Sequence, residues 1–309
     1  MNKIYIKVAL ALLGIAGYMQ NVAFASETDE QNCEEDYLIN DNPTPIFEQY
    51  ENEISEDKVE ALAALKYVGQ SLNLLEELSR VDVHDYSTDS TESEHIIYNK
   101  KIGNMDIGRL DFTIPSASKY VDVVRHYWDF KYEKKPDKKI INAKVARLYC
   151  KNLVVFEKHN PDPNYTPPKK IYSLCSRRPY KTICSILAPS RAIKYDGEIN
   201  KKTELTKVYK KQKPIEFDIN PEEALVKLRD NLAGFVIKKG GRFDDKVYVT
   251  YINAIYDNGN STEFADNKRQ RDHEYTKILN LAQRIIDDKY DYRPRAGFQS
   301  PNKCCLPTF

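Results

Sequence analysis

The sequence predicts an α+β fold: a curved, largely antiparallel sheet around a long C-terminal helix, with a further helix near the N-terminus. Three observations predict it. Apolar and β-branched runs recur at 145–156, 171–176, 181–188, 231–238 and 246–256, with turn chemistry between them. No helical stretch long enough for a crossover separates most of these runs, so the strands are expected to pair antiparallel. Two longer stretches, within 55–78 and 262–290, instead repeat apolar residues every three or four positions, the period of a helix with one buried face.

The chain opens with features of a secretory signal, read as residues 1–26. Lys3 and Lys7 precede an apolar run from Val8 to Tyr18, and Ala23-Phe24-Ala25 offers a small-x-small cleavage site before an acidic start. The run is shorter than the ~20 apolar residues a spanning helix needs. Residues 27–53 are acidic and polar, broken by Asn42-Pro43-Thr44-Pro45, and read as a disordered leader. A folded domain is expected over 54–290 and a flexible tail over 291–309.

The N-terminal helix is expected to start at Ser55 as cap, with Glu56 and Asp57 at the positive end of its dipole. Val59, Leu62, Leu65, Val68, Leu72, Leu75 and Leu78 form its apolar stripe. Residues 86–94, rich in Ser, Thr, Asp and Glu, read as a polar loop. Short strands are expected at 95–98 and 104–113, then a second helix from Pro115 and Ser116 through Val121, Val124 and Trp128. Residues 131–139 read as a charged turn. Beyond 140 the strand runs follow, with turns at 160–163, Asp196-Gly197, Gly240-Gly241 and Asp257-Asn258-Gly259. Asn220 and Pro221 open a short helix over 221–230. The last element is a helix over 262–290, with Phe264, Tyr275, Ile278, Leu279, Ala282, Ile285 and Ile286 along one side. Arg269, Arg271, Lys277 and Arg284 are expected elsewhere on its surface.

Composition narrows the function. The chain carries 47 basic and 46 acidic residues, a net of +1, which argues against a general nucleic-acid binder. A mean hydropathy of −0.63 excludes a multi-span membrane protein. Tyr outnumbers Phe, 22 to 11; tyrosine suits half-wet cavity mouths and membrane interfaces, and equally suits ordinary strands. Among the six cysteines, Cys175 and Cys184 are placed for a local bridge, or are buried free thiols, and none has zinc-like spacing. There is no G-x-S-x-G, H-E-x-x-H, P-loop or G-x-G-x-x-G, and the five histidines are scattered. The expectation is a protein that is not an enzyme and needs neither cofactor nor metal.

The runs "MDIGRLDFTIPSASKYVDVVRHYWDF", "KVARLYCKNLVVFEKHNPDP", "NLAGFVIKK" and "KVYVTYINAIYDNGNSTEF", with the leader "MNKIYIKVALALL", resemble the fam-a proteins of malaria parasites. The resemblance covers the leader and residues 105–290. It implies a START-like, helix-grip domain behind a signal peptide, and a secreted carrier of a phosphatidylcholine-like phospholipid that touches membranes transiently. Export to the host cell or vacuole is part of that family's pattern, although the export motif R-x-L-x-E/D/Q is absent here. START-like domains often keep a buried acidic–basic pair for the headgroup, and the resemblance sets Glu157 and Arg177 near those places, with Arg147 and Arg191 next. Taken singly, each of the four reads first as an exposed strand-end charge, because charged residues are rarely buried. Tyr149, Tyr172, Tyr248 and Tyr251 form an aromatic wall or fill the core. The C-terminal helix is the natural lid, with Tyr275, Ile278, Leu279, Ala282, Ile285 and Ile286 facing the bound chains. A module with a filled core that acts by surface contacts, and a START-related hydrolase, are the alternatives.

Overall fold

The computed structural model describes residues 50–92, 95–128, 143–159, 170–187, 192–193, 195, 197–200 and 202–287. The signal, nearly all of the leader, the charged turn at 131–139, the turn at 160–163 and the tail lie outside the described residues.

Ten strands form one antiparallel sheet: β1 (Ser87–Glu92), β2 (His95–Ile102), β3 (Met105–Pro115), β4 (Lys144–Cys150), β5 (Leu153–His159), β6 (Lys170–Pro179), β7 (Ile183–Leu187), β8 (Ala192–Ile193), β9 (Leu232–Lys239) and β10 (Lys246–Tyr256). Their order across the sheet is β1-β2-β3-β10-β9-β7-β6-β5-β4, with the two-residue β8 paired to β6. The central pairing runs unbroken from Met105↔Tyr256 to Pro115↔Lys246. The helices are α1 (Lys58–Arg80), α2 (Tyr120–Tyr127), α3 (Thr206–Lys210), α4 (Pro221–Leu228) and α5 (Ser261–Ile286).

The sheet is apolar on both faces because both faces are covered. In β5, Val154 and Phe156 join a core with α5 and α2, while Leu153 and Val155 join a second core with α1, α3 and α4. That is why 153–156 reads as an uninterrupted apolar run rather than an alternating one. The curved sheet thus grips α5 on its concave face and carries α1 on the other.

Several local expectations change. The cap of α1 is Asp57, whose Oδ1 accepts from the N–H groups of Val59 and Glu60 at 2.9 and 3.0 Å. Ser55 lies two residues too early, and its hydroxyl accepts instead from the Asp57 N–H. Val59 and Leu62 are exposed, and the buried face of α1 runs through Glu60, Ala64, Tyr67, Val68, Ser71, Leu72, Leu75 and Leu78. The polar stretch read as a loop holds strand β1, paired to β2 by backbone hydrogen bonds that need no apolar side chains. In α2, Val121 points to solvent, while Tyr120, Val123, Val124 and Tyr127 are buried. Residues Glu51–Glu53 form a 3-10 turn, and Ile54 beside it bridges to Leu148 of the edge strand β4. Cys175 and Cys184 are buried thiols that do not form the local bridge; burial pushes Cys184 up to about 12. The expected cap at Asn220 forms, accepting from Glu222 N, and Asn260 caps α5 by accepting from Glu263 N.

Candidate functional site

The side chains singled out in the sequence fall into three separate places. The first is a charged node on the face of α1. A bulge between Val145 and Arg147 turns Arg147 away from the face that Val145 occupies, so that it reaches α1. There Arg147 donates to the Glu60 carboxylate and to the Asn200 carbonyl. Glu60 also accepts from Tyr149 Oη at 2.7 Å and from the Leu205 N–H at 2.7 Å. Tyr149 and Tyr209 hydroxyls meet at 2.9 Å. Burial, then the Tyr209 hydroxyl and the Glu60 charge, push the Tyr149 phenol far above its usual range. Tyr172 belongs to the same layer and accepts from the Ile199 N–H at 3.2 Å. Arg147, Tyr149 and Tyr172 thus tie α1, Ile199 and Asn200 to the sheet. They do not face α5.

The second place is a cleft of about 530 Å³ at the β4 edge, lined among others by Lys144, Glu157, Glu198, Asn200 and Lys202. Glu157 is buried in its wall. The expected Glu157–Arg177 pair does not form. Glu157 registers with Tyr172, whereas Arg177 lies at the far end of β6, its backbone N–H on the Asn152 carbonyl. The Arg177 guanidinium donates to Asn152 Oδ1 at 2.7 and 3.0 Å and lies over the Trp128 ring. Strand register separates the two, because β5 and β6 run past each other for seven residue pairs. Arg191 lies outside the described residues, and Tyr248 is 40% exposed on β10.

The third place is the concave face. Aromatic rings run from the sheet to α5: Phe112 to Tyr127 (6.4 Å between centroids), Tyr127 to Phe235 (5.0 Å), Phe235 to Tyr251 (4.6 Å) and Tyr251 to Tyr275 (6.0 Å). Of the expected lid residues, Tyr275, Ile278, Ala282 and Ile285 are buried here, with Leu279 and Ile286 at the margin. Leu281 joins them. The N-terminal half of α5 is pinned by charge. Arg271 Nη2 donates to Asp106 Oδ1 at 2.6 Å, and Lys268 Nζ to Asp106 Oδ2 at 2.9 Å. Burial raises the Asp106 carboxyl, and the Lys268 hydrogen bond and the Arg271 charge outweigh it, so its pKa lies below the usual value. Arg271, expected at the surface, is 3% exposed. Beneath it lies Gly108, where a Cβ would meet Tyr275 Oη at 2.2 Å. Among the described residues, Arg271 Nε and Tyr275 Oη have no hydrogen-bond partner.

Sequence reasoning missed Glu60, Asp106 and Arg271 as site-forming charges. A signal was present for two of them. Arg271 precedes Tyr275, Ile278, Ala282 and Ile285 at helical spacing, and Glu60 precedes Ala64, Tyr67, Ser71 and Leu75 in the same way.

No family model matches the chain, and no curated protein does. Among solved structures it is similar to human StAR-related lipid transfer protein 5, at 11% identity and a TM-score of 0.45 over 75% of this chain and all of that one. It is also similar to human STARD10, at 14% identity and a TM-score of 0.41 over 72% of this chain and 82% of that one. A STAR-related lipid transfer protein fragment from Xanthomonas axonopodis matches at 10% identity and a TM-score of 0.36, over 65% of this chain and 98% of that one.

Proposed function

We propose that the chain is a secreted carrier that takes up a phospholipid, phosphatidylcholine-like in chemistry, between α5 and the concave face of the sheet. The observation that carries this reading is a continuous apolar concave face packed under one amphipathic helix. α5 packs chiefly on β3, β10 and α2. The apolar face continues well beyond it, through Cys184 and Ile186, Cys175, Val154 and Phe156, and Val145 and Leu148. In the closed structure these side chains are buried in one core with α5 and α2; the carrier reading has α5 lift, so that acyl chains take the place of its side chains on this face. The resemblance of residues 105–290 to fam-a proteins supports the same reading.

The physical task is to lower a solvation barrier. A diacyl lipid exposes ~30 methylenes at about 0.8 kcal/mol each, so free passage through water costs roughly 24 kcal/mol. A carrier replaces water with an apolar wall, and the lipid moves between two similar environments. No bond changes, so no acid, base or nucleophile is required, and the reading assigns no catalytic residue. Signal cleavage near Ala25 and delivery outside the cell are part of the proposal.

A second reading is favoured by the aromatic run under α5. Rings from Phe112 to Tyr275 stand close enough to fill the space directly beneath the helix. If they fill the whole concave face, the domain acts by surface contacts. Native mass spectrometry of the purified chain separates the two. The carrier should fly with a stoichiometric lipid that organic extraction releases, and should move labelled phosphatidylcholine between vesicles. A chain that carries no lipid and transfers none is the filled module.

A further inference from the structure

One end of the molecule gathers exposed aromatic and cationic side chains that lie outside both cores. The β9–β10 connection there is Gly240-Gly241-Arg242-Phe243-Asp244-Asp245. Phe243 at its tip is 99% exposed. The β6–β7 turn lies beside it, because the Lys239 N–H donates to the Thr182 carbonyl at 2.7 Å. That turn exposes Tyr180. The Tyr180 carbonyl accepts from Tyr120 Oη at 3.2 Å, which brings the first turn of α2 and its exposed Val121 to the same end. Tyr248 completes the set. A lone exposed apolar side chain is ordinary. Several around one loop tip, the outermost wholly in solvent, are not accounted for by the core.

The charges at this end are unbalanced. Lys181, Lys239, Arg242 and Lys246 are exposed and Lys238 is half-buried. Among the described residues, these five side chains hold no hydrogen bond or ion pair. The loop also holds two acids, Asp244, which accepts from Tyr248 Oη, and Asp245, whose Oδ1 accepts from the Ala117 N–H at 2.7 Å; against the five cations they leave this end net positive. The chain as a whole carries only +1, so this is a local concentration of positive charge rather than a general one.

We propose that this end docks on an anionic lipid surface, with Phe243 entering the headgroup region and Lys181, Lys239, Arg242 and Lys246 facing the lipid charges. The combination fits a bilayer better than a protein. A stable protein interface needs about 800 Å² on each partner, and a two-turn tip with one projecting ring offers a narrow, convex contact. A bilayer accepts a narrow wedge, and its negative surface rewards each nearby Lys or Arg. The docking end is also where α5 finishes: Lys119 Nζ donates to the Ile285 and Ile286 carbonyls at 2.9 and 3.0 Å. Docking does not depend on the carrier reading, since a filled module could bind a membrane by the same tip.

The test is co-sedimentation of the full chain with vesicles of phosphatidylcholine alone and of phosphatidylcholine mixed with phosphatidylserine. The expected result is binding to the mixed vesicles only, weakened by added salt. Lys239→Gln with Arg242→Gln should lower partitioning roughly thirty-fold, from about one kcal/mol for each charge. Phe243→Ala should lower it as well, and an unchanged melting temperature would show that these exposed positions do not hold the fold. Phe243→Trp adds a direct readout, because the chain's only tryptophan, Trp128, is buried. Its emission should shift to the blue with mixed vesicles. Binding that is absent, indifferent to phosphatidylserine, or unaltered by these substitutions would overturn the proposal. Lipid transfer measured on the same variants reports the carrier reading separately.

Discussion

The first half of α5 is charge-paired to the sheet through a single carboxylate shared between two cations. Asp106 projects from β3 and receives Arg271 and Lys268. Replacing it by Asn would leave the Arg271 guanidinium buried without its counter-charge, and removing one partner of such a pair costs about 3–5 kcal/mol. Urea denaturation of Asp106→Asn should show a loss of that order. The pair also sets a pH dependence. The folded carboxyl titrates below its ordinary value of 3.8, so its contribution is complete above that value and disappears as pH falls through the lower, folded one. The wild-type unfolding midpoint should therefore fall on acidification below about pH 4 more steeply than that of Asp106→Asn. Equal slopes would mean that Asp106 is not held ionised by its neighbours. A sequence reading could not reach this pair, because the partners lie 165 positions apart. It could have noticed that Arg271 stands on the apolar stripe of its helix.

At the scale of elements, helix period and caps were the legible part. α1, α4 and α5 follow from apolar spacing, and the cap Asn220 is read at its place, whereas the cap of α1 is read two residues early, at Ser55 instead of Asp57. β3, β9 and β10 follow from β-branched runs between Gly turns. The polar β1 and the five-residue α3 were not legible, since backbone pairing holds the first and tertiary packing around Tyr209 holds the second. Which sheet face a charged strand residue takes was also hidden. The bulge beside Arg147 inverts the alternation, so a residue read as a headgroup contact serves α1 instead. α1 lies closely on the sheet at Gly234, where an added Cβ would meet the Ile186 carbonyl oxygen at 2.4 Å and Leu75 Cδ2 at 2.7 Å. Gly234→Ala should destabilise the fold by about 1–3 kcal/mol through overpacking, read as a lower urea midpoint with an unchanged slope. A chain truncated to begin at Met105 goes further. It loses the cover of Leu174, Val155 and Val236 and leaves Arg147 without Glu60. Far-ultraviolet circular dichroism should find no cooperative melting. A cooperative transition at the wild-type temperature would make α1 a separable arm.

For the whole molecule, the two layers differ in how they could move. α1 is tied to the sheet by Glu60 and by a continuous core, and nothing in the carrier reading asks it to shift. α5 is held differently along its length. Its first half is pinned to β3 by Asp106. Its second half is held through α2, because Tyr127 Oη donates to the Ile278 carbonyl at 3.0 Å and Lys119 Nζ reaches the last carbonyls. An opening that admits lipid would therefore swing the C-terminal half of α5, either with α2 or away from it, while the N-terminal half acts as the hinge end. Tyr127→Phe discriminates between these motions. It removes the tie to Ile278 and keeps the ring that packs on Phe235 and Phe112. The lost hydrogen bond should cost about 1 kcal/mol in stability. If α5 parts from α2 to open, that cost falls on the closed state alone, and transfer of labelled phosphatidylcholine between vesicles should rise by up to about fivefold. If the two helices move as one body, the tie is intact in both states, and transfer should stay at the wild-type rate although stability has dropped. A fall in transfer matched to the fall in folded protein would contradict both motions and leave the concave face closed.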